Sequence, residues 1–282
     1  MNKRAFKQVD VFTPVAYRGN PLAVVLDGSG LSDDEMQHFA AWTNLSETTF
    51  VLPPTTDAAD YRVRIYTPGG ELPFAGHPTL GTCHSWLQAG NKPRRRDLIV
   101  QECKKGLVHI KPQGERLAFA APESKRTSPS PAVLAQVAGM LGLKSSQVIA
   151  AQSLDNGPVW LSLLVEDPQT VLALKPDHGA LRIGGFKVGV AARYRNAGPG
   201  EPMLEVRAFA DPVGIPEDPV TGSLNASLAQ WLMDEGHMPS HYLAAQGACL
   251  GRAGRVHVER DDQGQVWIGG NTVTCVEGTV LL

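Results

Sequence analysis

Two stretches without charged side chains constrain the fold of this chain more than any other feature. No Asp, Glu, Lys or Arg occurs at positions 74–90 or at positions 219–233. Each stretch is long enough for a helix of several turns, and a helix without a charged face is a buried helix. The sequence therefore predicts two helices that lie inside the protein.

The two predicted helices have matching lengths. Gly90 lies 14 positions after Gly76, and Gly236 lies 14 positions after Gly222. Glycine is common just beyond a helix C-terminus, so Gly90 and Gly236 are natural stops. The equal spacing predicts two lobes, each with one buried helix, and an active site between the helix starts.

Polar residues stand at both helix starts. We expect His77 at the N-cap of the first helix and Pro78 at its first position. Proline is favoured there because an N–H at that position would have no partner within the helix. Asp218 precedes the second helix and Ser223 stands at its start. Because the N–H groups of a helix N-terminus carry partial positive charge, both starts are predicted to bind an anionic group.

Composition excludes several classes of protein. The 282 residues, 43% hydrophobic and 19% charged, are typical of a globular protein with room for two domains. A net charge of −2 argues against nucleic-acid and anionic-membrane partners. Without a transmembrane run, a signal peptide or a C-x-x-C motif, we expect a cytoplasmic protein with neither disulfides nor zinc.

The order of the predicted elements favours an α+β fold. We expect two pseudo-repeated lobes, each a mostly antiparallel, curled sheet around one buried central helix. A segment rich in Ser, Pro and charge at 123–131 marks the boundary between them. The predicted N-terminal lobe covers residues 1–125 and is completed by a C-terminal strand at about 272–282; the C-terminal lobe covers residues 126–271.

Local patterns predict finer detail. Ser32 and Glu35 have the spacing of a capping box at the start of a surface helix. Arg62 and Arg64 alternate with apolar residues, which predicts a strand with one solvated face.

Four side chains are candidates for chemistry, and each has a plainer interpretation. Glu47, in a loop after a predicted helix, is either a solvated carboxylate or a general acid/base. His77 is either structural, bonded to a carbonyl, or functional, since His is unusual at an N-cap. Asp218 is either a turn carboxylate or a substrate ligand. Ser223 is either an N-cap or a donor to a substrate carboxylate.

Motifs for cofactors and for other nucleophiles are absent. The chain has no G-x-S-x-G, no H-E-x-x-H, no Walker A motif and no G-x-G-x-x-G after a strand. We therefore expect neither a metal nor another cofactor.

Five motifs follow one another along the chain. They are Gly-Asn-Pro-Leu-Ala-Val at 19–24, Asn-Leu-Ser-Glu-Thr-Thr-Phe-Val at 44–51, Glu-Leu-Pro-Phe-Ala-Gly-His-Pro-Thr-Leu-Gly-Thr at 71–82, Glu-Asp-Pro-Val-Thr-Gly-Ser at 217–223, and Gln-Gly with Gly-Arg within 246–252. In these motifs, and over nearly its full length, the chain resembles the PhzF-like isomerase family of phenazine biosynthesis.

This resemblance implies a fold similar to that of diaminopimelate epimerase, an active site in the interlobe cleft, and a homodimer. It implies isomerisation of a small cyclic or amino-acid-like carboxylate without metal or cofactor, as the founding member isomerises trans-2,3-dihydro-3-hydroxyanthranilate. Glu47 is implied to shuttle the proton. The residues implied to hold the substrate are Gly76, His77, Asp218, Gly222 and Ser223. The segment Leu-Asn-Ala at 224–226 departs from some family members, so the substrate stays open.

Two other functions are weighed beside this one. An epimerase of the diaminopimelate type uses a thiol from each lobe, but His77 and Ser223 stand at those places. A binding protein without catalysis is the other alternative, and the set of Glu47, His77 and Asp218 counts against it.

Overall fold

The structure is a computed structural model, and it describes residues 2–282. The chain divides into two compact units. The first unit contains the residues up to Ala120 together with Gly269–Leu282, and the second unit is Ala121–Ile268. Both are of the mixed α/β class, with extensive β-sheet and few helices.

The elements up to Ala120 are β1 (Lys3–Val11), β2 (Asn20–Val25), α1 (Asp33–Thr43), β3 (Thr48–Leu52), β4 (Tyr61–Thr67), β5 (Gly70–Leu72), α2 (Gly76–Gln88), β6 (Ile99–Cys103), β7 (Gly106–Gln113) and β8 (Arg116–Ala120). The elements that follow are β9 (Lys125–Thr127), α3 (Pro131–Met140), β10 (Val148–Asp155), β11 (Val159–Val165), α4 (Pro168–Ala173), α5 (His178–Gly184), β12 (Val188–Arg193), β13 (Leu204–Ala210), β14 (Ile215–Asp218), α6 (Gly222–Asp234), β15 (His241–Gln246), β16 (Gly254–Arg260), β17 (Val266–Gly270) and β18 (Thr272–Leu281).

Strand pairing follows the same course in both units. In the first unit β1 pairs antiparallel with β2, β2 parallel with β3, and β3 antiparallel with β4. Strand β4 then pairs antiparallel with β5 and parallel with β6, which pairs antiparallel with β7. In the second unit β10 to β16 repeat these pairings in the same order and with the same directions. Strand β18 pairs antiparallel with β1.

The two charge-free helices are the most buried helices of the described chain. Helices α2 and α6 each have 13 residues, of which ten and nine are buried. The other four α-helices within residues 2–282 bury at most two residues each. The prediction from the missing charges is therefore confirmed. None of the helices within this range is long and apolar enough to span a membrane.

Helix α2 approaches its sheet closely because one of its residues lacks a side chain. It packs against β1, β2, β3 and β8. A Cβ atom on Gly81 would lie 2.6 Å from Leu22 Cδ2 and 2.9 Å from Val11 Cγ2. Glycine at this position thus sets the distance between the helix and the strands, and with it the place where the helix starts.

The predicted first residues of both buried helices need correction. Helix α2 begins at Gly76 with Ala75 as its N-cap, so His77 is the second helical residue, not the N-cap. The amide of Thr79 already bonds the carbonyl of Ala75 at 3.2 Å, which closes the first helical turn two residues earlier than a helix with Pro78 as its first residue would. Helix α6 likewise begins at Gly222, which places Ser223 second.

The surface helix α1 starts where its sequence predicts. Ser32 is the N-cap, and its hydroxyl accepts a bond from the Glu35 amide while the Glu35 carboxylate accepts one from the Ser32 amide. Helix α5 was not predicted from the sequence.

Candidate active site

A carboxylate and an imidazole lie side by side at the start of α2. Glu47 Oε2 is 3.4 Å from His77 Nε2, and their side chains are only 13% and 5% exposed. Water therefore screens this pair little, and a proton can pass between the two groups or from either to a bound molecule.

The other side of the His77 ring is held by an amide. Asn20 Nδ2 lies 3.3 Å from His77 Nδ1. An amide nitrogen only donates, so Nδ1 accepts, and the neutral ring carries its proton on Nε2. This tautomer directs an N–H towards Glu47, and Asn20 therefore sets both the orientation and the donor of the imidazole.

Glu47 is held by its position directly before β3. The hydroxyls of Thr43 and Thr48 are 2.9 Å apart, which joins the end of α1 to the start of β3. The Thr82 hydroxyl of α2 donates to the Thr49 hydroxyl at 2.9 Å. The first bond ties the residue after Glu47 to α1, and the second, which is buried, ties β3 to the helix that carries His77.

The two buried helices differ from the surface helices at their N-termini. Ser32, Ser130, Asp167 and Asp177 cap α1, α3, α4 and α5 through side-chain hydrogen bonds. Helices α2 and α6 have no side-chain cap bond. Uncapped first-turn N–H groups on a buried helix are donors suited to an anion.

Glutamine and threonine side chains support the loop before α6. Thr221 Oγ1 donates to Asp218 Oδ2 at 2.5 Å, and Gln246 Nε2 donates to the Asp218 carbonyl at 2.9 Å. Gln246 Oε1 accepts from the Thr221 amide at 3.0 Å. Next to it, Gly247 has a φ of +95°, and a Cβ atom there would lie 2.6 Å from the Pro219 carbonyl oxygen. The Gln-Gly motif therefore holds Asp218 in place.

The Ser223 hydroxyl is oriented as a donor. It accepts a bond from Trp160 Nε1 at 3.2 Å, and this bond uses an oxygen lone pair and leaves the hydroxyl hydrogen to donate elsewhere. The Ser223 carbonyl accepts from Asn156 Nδ2 at 2.8 Å. Asn156 and Asn20 thus have parallel roles, since each bonds the second residue of a buried helix.

Strand register shows which positions of the two loops correspond. Leu72 pairs with Ile65, and Asp218 pairs with Ala208, at the same place in β5 and β14. Leu72 lies four residues before Gly76, the first residue of α2, and Asp218 lies four residues before Gly222, the first residue of α6. The carboxylate of Asp218 therefore has an apolar side chain as its counterpart in the first unit.

The same register shows that equivalent positions of the two units carry different side chains. Thr48 on β3 and Val188 on β12 are equivalent, so Lys187 stands where Glu47 stands in the first unit. Ser223 likewise stands where His77 stands. The pair of a carboxylate and an imidazole is thus found in the first unit, while the second unit has a hydroxyl and a carboxylate at the start of its buried helix.

Each unit brings together its own sequence-predicted residues. Glu47, Gly76 and His77 meet in the first unit, and Asp218, Gly222 and Ser223 meet in the second. Sequence reasoning missed Asn20 and Trp160 as partners. Asn20 belongs to a motif of the resemblance, which was the available signal, but nothing in the sequence pairs Trp160 with Ser223. Within residues 2–282 no three His, Cys, Asp or Glu side chains are grouped to hold a metal ion.

Comparison with known proteins gives a consistent result. The chain matches the PhzC-PhzF family, described as phenazine biosynthesis-like protein, over residues 9–278. It is 36% identical to antisense-enhancing sequence 1 of Schizosaccharomyces pombe, over 99% of each chain. It is 32% identical to the trans-2,3-dihydro-3-hydroxyanthranilate isomerase of Pseudomonas aeruginosa, over 97% of this chain and 98% of the relative.

A solved structure shares the fold. The crystal structure of the Bacillus anthracis phenazine biosynthesis protein of the PhzF family superposes with a TM-score of 0.85, 24% identity and full coverage of both chains. The fold and the named relatives together define an enzyme of the mixed α/β class. The chain belongs to the phenazine biosynthesis-like protein family and is an isomerase.

Proposed function

We propose that the protein is a cofactor-independent isomerase that moves a proton on a small cyclic or amino-acid-like carboxylate. The observation that carries this proposal is the buried pair of Glu47 and His77, 3.4 Å apart, at the uncapped start of α2. The reaction is proposed to resemble that of the P. aeruginosa relative, whose name specifies trans-2,3-dihydro-3-hydroxyanthranilate.

The first unit performs the proton transfer in this proposal. Glu47 takes a proton from one substrate atom and returns it to another, so the double bonds shift and the composition of the substrate is unchanged. His77 donates from Nε2 and steadies the Glu47 carboxylate or a substrate oxygen that gains charge. The first N–H groups of α2, beginning at Gly76, supply the fixed dipoles that hold an anionic group.

The second unit binds and orients the substrate in this proposal. The Ser223 hydroxyl and the N–H of Gly222 are donors for a carboxylate, and the Asp218 carboxylate is an acceptor for an amino group. The bond from Thr221 fixes the direction of Asp218. That both sets of residues face one interlobe cleft stays a prediction.

Thiol chemistry of the epimerase type has little support. Cys83 lies inside α2, fully buried, and burial raises the pKa of its thiol to about 12. A thiol with this pKa is almost entirely protonated near neutral pH and is a poor base.

We also propose that the two units are repeats of one lobe, of the diaminopimelate-epimerase type. The shared order of parallel and antiparallel pairings supports this, as does the equal length of α2 and α6. The division of roles between the units then reflects divergence after duplication.

The test of this proposal is proton exchange in D₂O with the Glu47→Gln variant. Gln keeps the size and polarity of Glu but cannot carry the proton, so we expect turnover and deuterium incorporation to fall about 100- to 10,000-fold. The substrates are trans-2,3-dihydro-3-hydroxyanthranilate and a panel of cyclic amino acids, followed by mass spectrometry. Ligand affinity should change little.

The matched control is Glu115→Gln, because Glu115 is an exposed carboxylate of the same unit. This variant should exchange protons at the wild-type rate. A Glu47→Gln enzyme within a few-fold of wild type would remove Glu47 from the mechanism and make His77 the next candidate.

A further inference from the structure

An arginine and a glutamate form a double hydrogen bond before α2. Arg64 Nε donates to Glu71 Oε1 at 2.8 Å, and Arg64 Nη2 donates to Glu71 Oε2 at 3.0 Å. The side chains are 22% and 17% exposed, and the guanidinium lies 5.1 Å from the centre of the Tyr66 ring. The bonds from Arg64 hold the pKa of Glu71 below its usual range.

The same arrangement recurs before α6. Arg207 Nε donates to Glu217 Oε1 at 2.9 Å, and Arg207 Nη2 donates to Glu217 Oε2 at 2.8 Å. This guanidinium lies 4.9 Å from the centre of the Phe209 ring. The pair is more buried, with side chains 7% and 9% exposed.

Both pairs stand at the same place relative to the proposed site. In each, the glutamate lies five residues before the first residue of the buried helix, Gly76 or Gly222. We call residues 71–76 the first substrate loop and residues 217–222 the second substrate loop. The two pairs share the same bonding atoms, an aromatic ring close to the guanidinium, and the same spacing to the helix. Most other residues of the two loops differ.

The strands that lead into these loops are held to their sheets by short ladders. Strand β5 pairs with β4 through three residues, and β14 pairs with β13 through two residues with a shift of register. Each strand is followed directly by a proline, Pro73 or Pro219, which has no N–H to bond. Two charge-assisted bonds in a fixed fork restrain both distance and direction.

We propose that Arg64 and Arg207 are positioning residues, each of which holds one substrate loop in the geometry that presents the start of its buried helix. Arg64 acts through Glu71 on Gly76 and His77, and Arg207 acts through Glu217 on the neighbouring Asp218 and on Gly222. The effect on catalysis rests on the proposed function, whereas the effect on the loops does not.

The roles of the two loops lead to different kinetic effects. Loss of the Arg64 fork misplaces His77, a group proposed to act in the proton transfer, and so lowers kcat. Loss of the Arg207 fork misplaces Asp218 and Ser223, which are proposed to bind the substrate, and so raises KM. If the two arginines had a merely structural role, both variants would lose stability, but kcat and KM would not respond separately to the two substitutions.

Hydrogen exchange measured by mass spectrometry on the full chain tests the loops directly. Lysine keeps the charge and the apolar stem of arginine but cannot make two parallel bonds, so Arg64→Lys and Arg207→Lys are the variants. We expect amide exchange to rise about 10-fold in the loop of the substituted pair and in the first turn after it, and to stay unchanged in the other loop. Glu71→Gln and Glu217→Gln should act in the same direction and serve if a lysine variant does not fold.

The control is Arg126→Met, which removes a more exposed ion pair, with Asp234 at 2.8 Å, that adjoins neither loop. Exchange in both loops should match wild type in this variant. Folded Lys or Gln variants with wild-type exchange in their own loops would overturn the proposal.

Kinetics on trans-2,3-dihydro-3-hydroxyanthranilate test the consequence for catalysis. We expect Arg64→Lys to lower kcat about 10- to 100-fold at nearly constant KM, and Arg207→Lys to raise KM by a similar factor at nearly constant kcat. Equal effects of both variants on both parameters would contradict the division of roles. A wild-type enzyme inactive on this compound would count against the proposed reaction, and the exchange measurement would still decide the positioning role.

Discussion

His84 gives the protein a pH dependence at the scale of one residue. The half-buried ring lies on α2 with Nε2 3.0 Å from Thr274 Oγ1, and burial, with Lys7 nearby, lowers its pKa from 6.5 to about 4. Between these values the unfolded chain binds more protons than the folded one, so stability is full above pH 6.5 and falls as the pH drops towards 4.

Replacing His84 by glutamine removes this titrating group, so the variant should depend less on pH. Urea unfolding at pH 7.5, 5.5 and 4.5 should show a smaller loss of unfolding free energy on acidification in His84→Gln than in wild type. His38→Gln, at an exposed position, should follow wild type. Equal acid dependence of His84→Gln and wild type would assign the loss to other groups.

Single residues were predictable from the sequence by type and position but not by partner. Glu47 and His77 stand out because of their place before a strand and in a helix start. Their contact depends on how a loop and a helix 30 positions apart pack together. Arg64 lies on the more exposed face of β4, as the alternation predicts. Its partner Glu71 lies on the next strand, beyond a turn, so the alternation could not predict the pair.

At the scale of the element, Gly81 and Gly139 should respond in opposite ways to alanine. Gly81→Ala would force a methyl group against Leu22 and Val11, and overpacking of this kind costs roughly 1–3 kcal/mol. Gly139 is exposed near the end of α3, and a methyl group added there would have no other atom within 4 Å. Alanine at this position should therefore stabilise the protein by roughly 0.5–1 kcal/mol.

Thermal and urea unfolding of both variants measures the two signs. If Gly81→Ala were as stable as wild type, the close approach of α2 to its sheet would have to relax at no cost. If Gly81→Ala lowers activity more than its loss of stability explains, the added methyl group displaces the start of α2 together with the rest of the helix.

Elements with local signals were predicted well. The capping box of α1 and the missing charges of α2 and α6 lie within the segments themselves. The first residue of α2 was missed because Ala75, which has no capping side chain, holds the N-cap position. A local pattern favours a polar residue there.

At the scale of the whole molecule, the assembly stays a prediction. We expect a homodimer, by analogy with the family that the chain resembles. Light scattering at working concentration should give twice the mass of the chain, and the mass of a single chain would contradict it.

The proposed internal duplication was predictable in outline from two charge-free segments of equal length. The details of strand pairing were not, because parallel pairs such as β2 with β3 join segments that have an entire helix between them. The repeated pairs of arginine and glutamate also need the register of two strands before they are visible. Pairing over such distances is decided by the packed core and not by a local pattern.

If the start of α2 binds the substrate, as we propose, its lack of a side-chain cap limits how far this protein can be stabilised without loss of activity. Ala75 has a φ of −150° and a ψ of 142°, a conformation that serine adopts readily at an N-cap. A serine hydroxyl there would bond the His77 amide and stabilise the helix by about 1 kcal/mol. In the proposed function this amide belongs to the group of donors that binds the substrate, so the hydroxyl would compete with the substrate, and selection for heat resistance alone would favour a blocked site.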